Sequence, residues 1–150
     1  MAPNGILTEP LKCLRKEGSI ACGYFVTTTL RDMGVPINRV KMAQCASEDM
    51  IRSLASKELV HYISNTSLQE FEKKLVAYGN GLYIIGLDKH TGFIWLDGAE
   101  RYFIHSTGWF PFKVVKDVVS KSSVLEKLKY RVVGKISDDE HFLNKWIEND

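Results

Sequence analysis

The chain has no apolar run approaching the roughly 18 residues that a membrane-spanning helix needs. It has no run of lysine and arginine interleaved with aromatics. Its net charge is only +2 and the basic residues are dispersed, so the footprint of a nucleic-acid binder is missing. Cysteine is scarce: Cys13, Cys22 and Cys45 make three, with no CxxC spacing. An odd count without paired spacing argues against a disulfide framework and leaves at least one free thiol. There is no internal repeat, low-complexity tract or linker. The N-terminus, MAPNGILTEPLKCLRKEGS, lacks the basic stretch followed by a long apolar stretch that marks a signal peptide.

What is present is ordinary globular material. Of the 150 residues, 45% are hydrophobic and 25% charged, enough to build one real core and too apolar for a disordered chain. Residues 1–18, with Pro3 and Pro10, read as an irregular arm; residues 19–150 read as a single domain. Ser19 is placed to cap a helix running to about Met33, which Gly34 stops, with Pro36 just beyond. Val26, Leu30 and Met33 give that helix an apolar stripe. A second helix falls within MAQCASEDMIRSLAS, and a third starts at Ser67, whose SLQE forms a capping box with Glu70, and ends at Gly79.

Beyond Gly79 the pattern changes to short segments rich in β-branched and aromatic residues: LYIIGL, GFIWL, RYFIHS, FKVV and KYRVVGKI. LDGAE reads as a hairpin turn. A last helix opens at Ser137 and carries Phe142, Leu143, Trp146 and Ile147. Helices first and an antiparallel sheet afterwards imply an α+β domain.

Cys22 falls in the first turn of the first helix. Unpaired N–H groups and the positive end of the helix dipole lie there, and both favour thiolate over thiol. Gly23 leaves room for a substrate carbonyl beside the sulfur, and backbone N–H groups at the same helix end can hold an oxyanion. The alternative is that Cys22 is a small buried apolar residue. Cys13 and Cys45 have no comparable setting.

His90 and His105 fall on neighbouring strands. On a pleated strand His90, Gly92 and Ile94 share one face, and Phe103 and His105 share a face of the next. A short turn between antiparallel strands would set the two imidazoles side by side. Cys, His and His then make a chemical line: His90 takes the thiol proton and returns it to a leaving amine, and His105 fixes the ring and tautomer of His90. The same three side chains could ligate zinc, although metal sites draw on closely spaced ligand pairs and none is present. His61 and His141 read as surface residues. The segment 34–44 reads as a solvated connector or a cleft wall, with Asn38, Arg39 and Gln44. Asp88 reads as a turn residue, and Trp109 and Phe110 as core aromatics.

CGYFV at a helix start, followed by HTGFI and FIHST in that order, resembles the NlpC-type, papain-like family of bacterial cell-wall cysteine peptidases and amidases. The likeness covers roughly residues 19–107. It implies a papain-like α+β fold, with the nucleophile helix packed on an antiparallel sheet. The residues around 36–79 exceed what a minimal family domain needs there, and read as a helical insertion that shapes substrate choice. It also implies a nucleophile Cys22, a base His90 and an orienting His105, with no metal or organic cofactor. The expected reaction is hydrolysis of an amide bond through an acyl-enzyme, in peptidoglycan stem peptides. An acyltransferase or effector amidase using the same Cys-His-His site, or a non-catalytic or zinc-bound binding module on the same scaffold, are the alternatives. The family implies a periplasmic or extracellular setting if a leader has been removed, and otherwise a cytoplasmic protein or a secreted effector. The chain departs from the family in reading Ala21-Cys22-Gly23-Tyr24, without the usual serine, and in having no tyrosine before the cysteine. Tyr24, Gln44 or backbone groups are then the candidates at the oxyanion.

Overall fold

The computed structural model describes residues 20–35, 37, 42, 46–88, 90–106 and 113–138, with Ile20, Ala21 and Cys22 described by their backbone alone. Its centre is a sheet of six antiparallel strands: β1 (Val60–Tyr62), β2 (Gly81–Leu87), β3 (His90–Asp97), β4 (Glu100–Ser106), β5 (Val114–Val118) and β6 (Arg131–Lys135). Their order is β1-β6-β2-β3-β4-β5. Helices α1 (Ile20–Asp32), α2 (Ser47–Leu54), α3 (Leu68–Tyr78) and α4 (Ser123–Lys127) cover it, so the class is α+β.

Both faces of the sheet are covered, which is why LYIIGL reads as a continuous apolar run rather than an alternating one. On one face, Val26 and Leu30 of α1 and Met50, Ile51 and Leu54 of α2 pack with Ile84, Phe93 and Val132. On the other, Phe71 and Leu75 of α3 and Leu125 of α4 pack with Tyr83, Ile85, Ile94, Phe103 and Val133. Neighbours along each strand alternate between these two cores.

The helix ends follow the sequence signals. Gly34 sits at φ 94, a left-handed conformation open to glycine. Its N–H donates to the Arg31 carbonyl at 2.9 Å, and the Val35 N–H donates to the Leu30 carbonyl at 3.0 Å. These two bonds satisfy carbonyls that the end of α1 would otherwise leave open. At α3, Ser67 Oγ accepts from the Glu70 N–H at 3.1 Å, and the chain turns out of the helix at Gly79.

Several expectations shift. The segment 36–79 carries more than helices: it also supplies β1, which pairs with β6 from Val60↔Gly134 to Tyr62↔Val132. Three residues show no period, so VHY gave no strand signal of its own. The strand expected at FKVV lies at Val114–Val118, and α4 is an unanticipated single short helix. His61, read as a surface residue, is half-buried and stacks on the Tyr78 ring at 3.8 Å and 9°, and burial pushes its pKa below the ordinary imidazole value. The expected N-terminal arm with Cys13, the segment with Asn38, Arg39, Gln44 and Cys45, the aromatics Trp109 and Phe110, and the expected C-terminal helix with His141 lie outside the described residues.

Candidate active site

β3 and β4 form a two-residue hairpin, with Asp97 opposite Glu100 and Gly98 at φ 62 in the turn, as LDGAE anticipates. β2 and β3 are joined just as tightly, with Leu87 opposite His90. Thr91 Oγ1 donates to the Ile85 carbonyl at 2.8 Å, so the first turn of β3 is pinned to its neighbour. These two tight turns fix the register that faces His90 toward β4.

The histidines do meet. His90 Nε2 lies 2.7 Å from His105 Nδ1, with the rings nearly perpendicular at 82° and centroids 4.8 Å apart. Both are buried, His90 at 8% and His105 at 2% exposure. Phe103 organises them: its ring stacks on His105 at 4.0 Å and stands edge-on to His90 at 6.0 Å. Gly92 makes the approach of β4 possible. A Cβ there would lie 2.7 Å from the Ile104 carbonyl oxygen, 2.8 Å from Phe103 Cε1 and 2.9 Å from His105 Cβ. The glycine in HTG is therefore a steric requirement of the imidazole pair.

A residue that sequence reading did not single out completes the row. His105 Nε2 lies 3.0 Å from Asp117 Oδ2 on β5. Asp117 stands opposite Phe103 in the β4–β5 register, on the same face as both histidines. The signal was available: Val115, Asp117 and Val119 alternate along VVKDVV, which puts the acid on an inward-facing row. Ending the strand at Val115 hid it.

Burial first, and then the neighbouring His105, depress the pKa of His90 to about 4. In a buried site the neutral ring is the favoured form, so at neutral pH His90 is an imidazole with a lone pair to offer. Its Nε2 is engaged with His105, which leaves Nδ1 as the nitrogen facing outward from the pair.

Cys22 lies on the first turn of α1, as expected, and Gly23 behind it is buried while Tyr24 is half-buried. The Thr27 hydroxyl occupies the Gly23 carbonyl at 2.9 Å. α1 lies against β3 and β4, with Phe25 edge-on to Phe93 at 5.8 Å. Phe93 and His90 point to opposite faces of β3, so the body of α1 and the imidazole pair occupy opposite sides of the strand. His90 is the first residue of β3. Among the described residues, no three His, Cys, Asp or Glu side chains converge to hold a metal ion, and no helix is long and apolar enough to cross a membrane. No protein-family model matches this chain, and neither a curated protein nor a solved structure shows detectable similarity to it.

Proposed function

We propose that the protein is a papain-like cysteine hydrolase that cleaves an amide bond through an acyl-enzyme, with peptidoglycan stem peptides as its substrate class. The observation that carries the reading is the buried His90–His105 pair, which supplies an oriented neutral base beside a strand end. The likeness of CGYFV, HTGFI and FIHST to NlpC-type enzymes supplies the substrate class. The reading requires the Cys22 thiol to reach His90 Nδ1 around the start of β3.

In this mechanism His90 Nδ1 takes the Cys22 proton as the sulfur attacks the substrate carbonyl carbon. The developing oxyanion is met by N–H groups at the start of α1, where helix geometry leaves donors unpaired. The carbon–nitrogen bond then breaks, and the amine leaves with the proton held on His90. Water attacks the thioester and gives its proton to His90. The carbon–sulfur bond breaks, the acid departs, and the thiol recovers its proton. General acid–base catalysis of this kind contributes about 10²- to 10⁴-fold.

Two measurements test the reading. Incubation with purified peptidoglycan fragments should give new products by mass spectrometry, abolished by Cys22→Ala. Iodoacetamide should modify Cys22 near pH 6 much faster than a free thiol, and His90→Ala should slow it. Labelling at the free-thiol rate, together with inert fragments, would point instead to a non-catalytic binding module on the same scaffold. The placement of α1 and the imidazoles on opposite sides of β3 is the observation that favours this second reading.

A further inference from the structure

The row of three polar side chains ends in a group with only one hydrogen-bonding role. A carboxylate can only accept, so with Asp117 Oδ2 at 3.0 Å the proton of His105 belongs on Nε2. His105 Nδ1 then carries a lone pair. The 2.7 Å contact with His90 Nε2 needs a donor, and His90 must supply it. That places the His90 proton on Nε2 and leaves Nδ1 unprotonated. Each ring has two neutral tautomers, and which one it holds is set by the bond its other nitrogen makes. Two buried imidazoles facing only each other could share their protons in either direction.

We propose that Asp117 is a positioning residue that sets the tautomers of both histidines through this chain, and so makes His90 Nδ1 the basic nitrogen. The inference rests on the hydrolase reading for its use, though not for its geometry. No proton crosses to His105 or Asp117 during turnover. Asp117 acts two residues away from the reacting atoms, by keeping His105 an acceptor. The carboxylate is well placed to do this without being consumed. It is partly open to solvent, at 37% side-chain exposure, while the ring it holds is 3% exposed. Without it, His105 is free to carry its proton on Nδ1 and donate to His90 Nε2. His90 would then hold its proton on Nδ1, the position that must be empty to accept one from a thiol.

The test is ring-nitrogen NMR on the full chain carrying Cys22→Ala, near neutral pH, compared with the same protein carrying Asp117→Ala or Asp117→Asn. In the parent, both His90 and His105 should show a protonated Nε2 and an unprotonated Nδ1. Asp117→Ala should bring in the Nδ1-protonated form of both rings, with a smaller change for Asp117→Asn, whose amide oxygen can still accept. In the chain with Cys22 intact, Asp117→Ala should lower turnover of peptidoglycan fragments by about 10²- to 10³-fold, within the range of a lost base. A dispersed amide spectrum checks that each variant folds. Ring patterns unchanged by Asp117→Ala, or a parent His90 protonated on Nδ1, overturn the inference even if the fragments are cleaved. Inert fragments with the tautomer change present overturn the hydrolase reading and leave the role of Asp117 standing.

Discussion

Replacing His90 by asparagine should change how stability depends on pH, and the effect can be sized. The folded chain holds His90 at about 4 against an ordinary 6.5. Between those values the unfolded chain binds a proton that the folded chain refuses. Stability from this group is therefore fully present above pH 6.5 and is lost as pH falls toward 4. At about 1.4 kcal/mol per unit, the gap corresponds to about 3 kcal/mol, a large fraction of what holds a small domain together. Asparagine is polar but does not titrate.

The assay is urea unfolding of both proteins at intervals from pH 4 to 7.5, with attention to the slope against pH. His61 is also depressed by burial, but it is present in both proteins and drops out of the difference. The parent should lose about 3 kcal/mol more than His90→Asn on going from pH 7 to pH 4. Parallel curves would refute the claim that His90 is held as a neutral buried base, and with it the account of the site.

Three further substitutions probe the scaffold. Gly92→Ala drives a methyl into the Ile104 carbonyl, Phe103 and His105; it should cost about 1–3 kcal/mol in urea unfolding and perturb the His105 ring resonances. Ser67→Ala removes the acceptor for the Glu70 N–H and should cost about 1 kcal/mol with little change at the histidines. Arg131→Met deletes the guanidinium that donates to the Thr66 carbonyl and hydroxyl and to the Leu125 carbonyl. Stranding the buried Leu125 carbonyl and the part-buried Thr66 acceptors should cost about 3 kcal/mol and show as an earlier thermal transition.

The parts of the fold written in local chemistry were the legible ones. Gly34, Ser67 and Gly79 end or start helices through backbone geometry and a single hydroxyl, and such signals sit in a few adjacent residues. The β3–β4 hairpin was legible for the same reason, since Gly98 is what a two-residue turn demands. The facing of His90 and His105 followed from strand period together with that turn. β1 was not legible because its stability comes from pairing with β6, more than sixty residues later. Asp117 was missed because a strand ended at Val115 leaves it off the inward-facing row of VVKDVV, and because its pairing with His105 is set by the β4–β5 register. The position of α1 on the Phe93 side of β3 was equally hidden, since an apolar stripe says that a helix packs without saying on which side.

The strand order has a consequence for how the chain is made. Among the described strands β6 is last in sequence, yet it lies between β1 and β2 in the sheet. Until its residues leave the ribosome, β2 through β5 can form a meander, but the outer edge of β2 has no neighbour. That edge belongs to Gly81–Leu87, one of the most apolar stretches of the chain, and an uncovered apolar edge invites pairing with other chains. β1 in turn has nothing to join until β6 arrives. Non-local pairing of this kind slows folding, so the protein spends its synthesis with its stickiest strand open. A co-translational chaperone or a low expression temperature should matter more for its yield than its final stability suggests.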